Sequence, residues 1–352
     1  MANVLPISLC MIARDEEAFL DAALKSARSV LNIGEMVVAD TGSVDRTKGI
    51  ALENGAKVVD FEWCDDFSAA RNFAADNAKN DWILMLDADE ELISLDFEEL
   101  KEFIKDANAV GAVTAVQMPG KSVSPLSRLY NKREYKYDGT IHEQIESLGN
   151  RKKHIKKAPI HVIHHGYADE VVKARGKLER NERLLRMELS KDPDDPYLLY
   201  QLGKSFFDGE RDLYRACVNF ERALSSAPDF RLEYIYSCVE CYGYALINTG
   251  QYEKALRLME RCNKHYEVKP EFRFLTAHVL QNNGMFIEAV EYYESCIGAD
   301  TVDYRGITSF LSYYNIGVVL ECVGMQEDAI QVYKSCGDYE PALKRLGELG
   351  ES

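Results

Sequence analysis

The chain has 352 residues and a formal net charge of −16, with 46% hydrophobic and 28% charged residues. This length predicts two domains, and the negative charge argues against sequence-independent nucleic-acid binding, which needs a basic surface. No apolar stretch approaches the roughly 20 residues of a membrane-spanning helix, and the first ten residues lack the pattern of a secretory signal.

Strands and helices alternate over the first 90 residues. Apolar runs predict strands at 5–13, 36–39, 57–60 and 82–86. Helices are predicted from Arg14 to Leu31, from near Asp45, and from Asp66. This alternation predicts a Rossmann-like, mostly parallel sheet with right-handed crossovers. Between about 110 and 165 the pattern changes to short β-like pieces with basic and aromatic residues, typical of the acceptor side of an α/β enzyme.

The strand at 82–86 runs directly into Asp87, Ala88 and Asp89. Its lack of polar alternation predicts burial on both faces of the sheet. Open α/β sheets bind their ligands at the carboxyl ends of strands, where these two carboxylates stand. Carboxylates at i and i+2 can share a hard cation, which favours Mg²⁺ or Mn²⁺. The alternative is a strand that simply ends in an acidic turn.

Helical periodicity replaces the strand pattern from about residue 171, and it repeats in units of roughly 34–40 residues. Each unit has a small residue, then an apolar residue, a turn glycine, an alanine and a second apolar residue. The small residues are Gly203, Gly243, Ala277 and Gly317, and the turn glycines are Gly209, Gly250, Gly284 and Gly324. The pattern matches tetratricopeptide helix hairpins, with a plain helical bundle as the alternative. The predicted domains are therefore 1–170, α/β, and 171–352, all-α.

Four tracts of the first domain resemble, in order, the motifs of glycosyltransferase family 2. They are residues 8–17, 38–47, 66–72 and 86–90. The resemblance implies a GT-A fold, a nucleotide-diphosphate sugar donor and inversion at the anomeric carbon. Together with the repeats, the chain resembles the branch that includes bacterial peptide, flagellin and surface-polysaccharide glycosyltransferases.

The resemblance implies a set of donor-binding residues, which are Ala13, Glu16, Asp40, Arg71, Asp87 and Ala88. Asp40 is expected to accept the imide N–H of uracil, and Arg71 to reach the diphosphate, where a guanidinium binds in a bidentate manner. Asp87 is expected near the ribose. The alternatives are that Asp40 only caps its turn and that Arg71 forms a surface salt bridge. Asp15 stands where the family has asparagine.

Five of the seven histidines lie between residues 142 and 165. Residues 164–167 resemble the His-x-Gly-Tyr segment that closes the catalytic domain in this branch. The resemblance implies that Asp89 and His164 bind Mn²⁺ or Mg²⁺, with His165 as the other candidate. A buried, hydrogen-bonded histidine is the alternative reading of His164, and a zinc site from His161, His164 and His165 is a further one.

Residues 139–143 resemble the Gly-x-x-His-Glu tract of the family. An inverting transfer needs one carboxylate to take the proton of the acceptor, and Glu143 is the predicted base. His142 is predicted to orient Glu143 or to contact the donor phosphates. Asp138 and Glu146 are weaker candidates for the base, and a surface pair at a strand edge is the alternative reading of His142 and Glu143.

The resemblance implies a metal-dependent, inverting glycosyltransferase that uses a UDP-hexose and a hydroxyl or thiol of a peptide, protein or glycan acceptor. The repeat domain is expected to bind the acceptor or to form a homodimer. Nine scattered cysteines favour reduced thiols and a cytoplasmic location. Two other classes stay open. One is an adaptor that binds a nucleotide sugar without turnover, and the other is a nucleotidyltransferase, although residues 14–17 are not a glycine-rich phosphate loop.

Overall fold

The computed structural model describes residues 5–31, 34–118, 122–149, 151–165, 171–208, 212–225, 228–299 and 306–350. Contacts divide the chain into two compact units, Met1–Leu184 and Leu185–Ser352. The boundary expected after residue 170 stays a prediction. Gly166, Tyr167 and Gly209 lie outside the described residues. None of the described helices is long and apolar enough to cross a membrane.

The first unit alternates strands and helices as predicted. Its elements are β1 (Ile7–Ala13), α1 (Leu20–Leu31), β2 (Glu35–Asp40), α2 (Thr47–Glu53), β3 (Lys57–Asp60), α3 (Phe67–Asp76), β4 (Trp82–Met85), β5 (Glu90–Leu95), α4 (Phe97–Phe103), β6 (Ala109–Met118), β7 (Ser122–Asn131), β8 (Tyr135–Asp138), β9 (Gln144–Ser147), β10 (His154–His165) and α5 (Val171–Leu189). The predicted GT-A-like α/β architecture is confirmed.

An eight-stranded sheet organises this unit, in the order β3-β2-β1-β4-β7-β6-β10-β5. Strands β3, β2, β1 and β4 are parallel, so their carboxyl ends meet at one edge. Strand β7 runs antiparallel to β4 and β6, and β10 runs parallel to β6. The short pieces expected between 110 and 165 are confirmed for β8 and β9, which have four residues each, and are wrong for the other strands of this region. Strands β6 and β7 have ten residues each and β10 has twelve, because long-range pairing extends them.

Two apolar layers cover the faces of the parallel strands. On one face, Trp82 and Leu84 of β4 belong to the same core as Leu24 of α1. On the other face, Ile83 and Met85 belong to the same core as Ala74 of α3. All four residues of β4 are buried, which confirms the predicted two-sided burial of the strand before Asp87.

The second unit contains helix hairpins, as the repeat pattern predicted. Its helices are α6 (Pro196–Phe207), α7 (Leu213–Ala223), α8 (Glu233–Asn248), α9 (Tyr252–Tyr266), α10 (Pro270–Asn282), α11 (Phe286–Cys296), α12 (Phe310–Cys322), α13 (Gln326–Lys334) and α14 (Glu340–Glu348). A Cβ at Gly203 would lie 2.7 Å from the ring of Phe220, and one at Gly317 would lie 2.5 Å from that of Tyr333. The small residues therefore let paired helices approach closely.

Candidate active site

A cavity of about 420 Å³ lies at the carboxyl ends of β1, β2 and β4. Most of the predicted donor and metal residues line it, namely Ala13, Glu16, Arg71, Asp87, Ala88, Asp89 and His164. They converge because parallel strands end at the same edge of the sheet. Asp40, His142 and Glu143 do not line the cavity.

The loops after β1 and β2 form one wall of this cavity and are hydrogen-bonded to each other. Asp15 accepts from the amide of Val44 at 2.8 Å, and its own amide donates to Ser43 Oγ at 3.0 Å. Asp15 adopts a left-handed backbone with φ of 53°, which asparagine and aspartate tolerate better than most residues. The predicted start of the helix at Arg14 is wrong for this reason, since α1 begins at Leu20, but its predicted end at Leu31 is confirmed.

Asp40 ends β2 with a carboxylate that is only 1% exposed. It accepts hydrogen bonds from the amides of Gly42 and Ser43, at 3.0 and 3.1 Å, and lies 3.4 Å from Lys48 Nζ. These contacts are those of the turn-capping alternative. Contact between Asp40 and the base of a donor stays a prediction.

Arg71 is buried in α3, so the surface salt-bridge alternative is wrong. Its Nη2 donates to Asp87 at 2.8 Å and its Nε donates to Glu143 at 2.5 Å. Burial alone would lower the pKa of Arg71, but the charges of Asp87 and Glu143 outweigh it and raise that pKa. Its Nη1 is buried and makes no hydrogen bond within the described residues. Arg71 therefore contacts both Asp87, which is predicted to bind the sugar donor, and Glu143, the predicted base. Its Nη1 can still donate a hydrogen bond to a ligand.

Arg128 of β7 and Glu90 of β5 complete this charge network, and the sequence reading missed both. Arg128 donates to Asp87 and, at 3.0 Å, to Glu90, which also accepts from the Asp87 amide at 2.9 Å. Burial would raise the pKa of Asp87, but Arg128 and Arg71 outweigh it and lower that pKa, which keeps Asp87 ionised. Glu90 ended the motif tract 86–90 without a predicted role, and the only signal for Arg128 was its charge beside the apolar pair Leu129 and Tyr130.

Asp89 and His164 lie beside each other in the lining of the cavity, and Asp89 Oδ2 is 3.3 Å from His164 Nε2. A hydrogen bond to Asp89 raises the pKa of His164. His165 instead lies 2.8 Å from Glu91, measured from Nε2 to Oε1, and does not line the cavity. Among the described residues, no group of three or more His, Cys, Asp or Glu side chains could hold a metal ion. A pair of ligands still fits Mg²⁺ or Mn²⁺, because such ions commonly take their other ligands from phosphates and water.

The predicted base follows a left-handed residue in the connection between β8 and β9. His142 has φ of 52°, and the Glu143 side chain is 11% exposed and bound to Arg71. Glu143 is thus not part of an exposed strand-edge pair. Its role as a base stays a prediction, as does any role of His142.

An aromatic wall, formed by Trp63 and Phe67, also lines the cavity and was not predicted. Their ring centroids lie 4.9 Å apart at an angle of 67°, and the Arg180 guanidinium of α5 lies 5.0 Å from the centre of the Phe67 ring. Asp65, with φ of 62°, accepts from the Trp63 indole at 3.0 Å. Of the three described left-handed residues other than glycine, Asp15 lines the cavity, Asp65 is bonded to Trp63, and His142 precedes Glu143, the partner of Arg71. Such backbone strain is commonly kept at functional sites.

Comparison with known proteins agrees with this geometry. The family model described as glycosyl transferase family 2 matches residues 8–174, which contain β1 except its first residue and all of β2 to β10. Residues 8–174 form a family 2 glycosyltransferase domain. A tetratricopeptide repeat model matches residues 270–303, the region of α10 and α11.

The curated relatives of this chain have names of the same two kinds, tetratricopeptide repeat protein and glycosyltransferase. A TPR repeat-containing protein of Synechococcus elongatus is 39% identical over 216 residues, which are 57% of this chain and 52% of the relative. An uncharacterized glycosyltransferase of Rickettsia bellii is 32% identical over 148 residues, 38% of this chain and 49% of the relative. The chain therefore spans about half the length of these curated relatives. The crystal structure of YrrB, a TPR protein with an unusual peptide-binding site, aligns with a TM-score of 0.40 and 22% identity, covering 50% of this chain and 86% of YrrB.

Proposed function

We propose that this protein is a metal-dependent, inverting glycosyltransferase that moves a hexose from a UDP-sugar to a hydroxyl or thiol of a peptide, protein or glycan. One observation carries the proposal. Asp87, Asp89, His164 and Arg71, which come from separate parts of the chain, line one cavity at the carboxyl edge of a family 2 glycosyltransferase sheet.

The donor occupies this cavity in the proposed function. Glu16 and Ala13 face the nucleoside, and Arg71 Nη1 donates to the diphosphate, which supplies the partner that this buried nitrogen lacks within the described residues. Asp89 and His164 hold the Mn²⁺ or Mg²⁺ ion. Such an ion supplies neutralisation of the diphosphate charge and helps the nucleoside diphosphate to leave.

Glu143 is the proposed base. The acceptor oxygen or sulfur forms a bond to the anomeric carbon while the bond from that carbon to the diphosphate oxygen breaks. The acceptor proton passes to the Glu143 carboxylate, and the nucleoside diphosphate leaves with the bonding electrons. Because Arg71 contacts both Asp87 and Glu143, one side chain connects the donor site with the base.

The acceptor and the cellular location extend the same proposal. The repeat unit binds the acceptor or pairs with a second copy of the chain, since stacked helix hairpins present extended surfaces for proteins and peptides. All nine cysteines are free thiols, which supports a reducing compartment such as the cytoplasm.

The metal assignment is tested by incubating the protein with a panel of UDP-hexoses and Mn²⁺ and measuring UDP release. We expect Asp89→Ala to lower turnover about a thousandfold, because the diphosphate charge is no longer neutralised. Asp81→Ala is the matched control, since Asp81 is an exposed partner of Arg133. Turnover in Asp89→Ala equal to that of Asp81→Ala rules out the metal assignment. Saturable UDP binding with no turnover of any donor favours the adaptor, and pyrophosphate release from a nucleoside triphosphate favours a nucleotidyltransferase.

The base assignment has its own test. We expect Glu143→Gln to lower kcat about a hundredfold or more while the KM for the donor changes little, because the amide cannot take the acceptor proton. Glu146→Gln is the control, since Glu146 was the weaker candidate and its carboxylate pairs with Lys153. A hundredfold loss in Glu146→Gln with normal turnover in Glu143→Gln moves the base to Glu146.

A further inference from the structure

We propose that the aromatic wall of Trp63 and Phe67 is a binding platform for a pyranose ring, and that Asp65 positions it. This inference rests on the proposed glycosyltransferase function and adds a subsite to it. The pyranose comes from one of two sources, the hexose of the donor or a sugar of a glycan acceptor. Both present the same chemistry, a saturated ring with apolar C–H faces and a rim of hydroxyl groups.

The position of the aromatic wall is the first observation that supports this inference. Trp63 and Phe67 line the same cavity as Asp87 and Asp89, yet they come from the connection between β3 and α3 and from the first turn of α3. The proposed nucleoside contacts come instead from the loops after β1 and β2. The wall is therefore part of the cavity without being part of the proposed nucleoside site.

The angle between the two rings is the second observation that supports this inference. The two rings meet edge to face at 67°, so they form a corner rather than two parallel walls. A flat nucleobase stacks best against a parallel face, whereas a chair-shaped ring can rest its C–H groups in a corner. The Arg180 guanidinium and the carboxylates of Asp87 and Asp89 line the same cavity, and they supply polar partners for hydroxyl groups.

The hydrogen bonds that hold Trp63 in place are the third observation that supports this inference. Asp65 Oδ1 accepts from the Trp63 indole N–H, and both carboxylate oxygens accept from Arg183, at 2.6 and 2.9 Å. Asp65 holds these contacts in a left-handed backbone, a conformation that persists only when its surroundings stabilise it. Because its N–H is already bound to Asp65, Trp63 offers a ligand its ring face.

The chain provides its own optical probe for this platform, since it has only two tryptophans. Trp82 is buried in the core beside Phe103, whereas Trp63 lines the cavity. Emission is followed while the whole chain, with Mn²⁺, is titrated with UDP, UDP-glucose, UDP-galactose and UDP-N-acetylglucosamine. Methyl glucoside is then titrated with UDP already bound, and calorimetry gives each affinity.

We expect a hexose-bearing ligand to change the Trp63 emission while UDP alone leaves it unchanged. A response to a UDP-hexose identifies the donor sugar, and a response to methyl glucoside identifies an acceptor sugar. Trp63→Ala should weaken the responding ligand about tenfold and change UDP affinity less than twofold. Trp63→Phe keeps an aromatic face and should recover part of that loss. Glu62→Ala is the matched control, because Glu62 is exposed in the same loop.

Two results overturn the platform. The first is a full emission change with UDP alone, or an equal loss of UDP and UDP-hexose affinity in Trp63→Ala, because either one assigns Trp63 to the nucleobase. The second is an emission that no sugar changes. If UDP-hexose turnover persists in the second case, only the platform fails. If methyl glucoside changes the emission while no donor binds or turns over, the platform stands and the proposed function fails. Circular dichroism checks the folding of Trp63→Ala, and Trp63→Phe replaces it if it does not fold.

Discussion

The two units of this chain bury different kinds of side chain. In the first unit, Asp40, Arg71, Asp89 and Glu90 are all less than 9% exposed. In the described part of the repeat unit, the buried polar residues are the neutral Asn219, Thr276 and Ser312. Its largest fully buried side chains are aromatic ones, Phe220, Phe272, Tyr293 and Tyr333.

This difference separates two uses of a protein interior. Removing a charge from water costs several kcal/mol unless partners and hydrogen bonds compensate for it. A buried charge network is therefore not explained by a gain in stability alone. The first unit keeps such a network beside its cavity, which Arg71 and Asp89 line. The repeat unit has an interior of aromatic and small residues, which suits a scaffold.

The largest expected effect tests whether the charges of the first unit depend on one another. Arg128→Met removes the shared partner of Asp87 and Glu90, so the buried Glu90 loses its arginine and Asp87 keeps only Arg71. We expect the free energy of unfolding of the first unit to fall by about 3–5 kcal/mol. Urea unfolding followed by tryptophan fluorescence measures it, because both tryptophans lie in this unit.

Two further variants make this test specific. Arg133→Met removes an arginine whose side chain is 73% exposed and pairs with Asp81, so its effect on unfolding should be much smaller. Adding Glu90→Gln to Arg128→Met removes the buried carboxylate that lost its arginine and should restore part of the loss. Equal destabilisation by Arg128→Met and Arg133→Met contradicts the description of the network as buried and interdependent.

The fold and the lining of the cavity could be predicted from sequence for a physical reason. A two-sided apolar strand such as β4 has a distinctive pattern, and the carboxyl ends of parallel strands must meet. Asp87 and Asp89 therefore lie beside Ala13 and Glu16, which the motifs had indicated. The repeat was predictable because its small residues recur wherever two helices approach closely, as at Gly203 and Gly317.

The partners of the site residues could not be predicted, because they depend on pairing between distant strands. Arg128 meets Asp87 from 41 positions away through the antiparallel pairing of β4 with β7, and Arg71 meets Glu143 from 72 positions away. No local pattern encodes such a pair. The aromatic wall was missed for the same reason, since Trp63 precedes α3 in a tract that suggests only a loop.

A smaller effect tests the neutral interior of the repeat unit. His278 of α10 packs among the rings of Phe274, Tyr293 and Tyr244. Burial lowers its pKa from 6.5 to about 4, because the charged imidazole would lose its hydration. The unfolded chain binds a proton at this site near pH 6.5, whereas the folded chain does so only near pH 4. The contribution of neutral His278 to the free energy of unfolding is therefore complete above about pH 6.5, and it is lost as the pH falls from there toward 4.

Between pH 7 and pH 5 this single histidine should lower the free energy of unfolding of the repeat unit by about 2 kcal/mol. Urea unfolding followed by far-ultraviolet circular dichroism measures it, because every regular element in the described part of the repeat unit is a helix. His278→Phe should remove that pH dependence, since phenylalanine keeps the ring packing and cannot bind a proton. The measurement stops at pH 5 because carboxylates also begin to titrate below that pH. One of them is Glu321, whose pKa is lowered by hydrogen bonds from Arg345. If the free energy of unfolding depends on pH in the same way in His278→Phe, then burial does not lower the pKa of His278. The interior of the repeat unit would then tolerate a charge, as the interior of the first unit does.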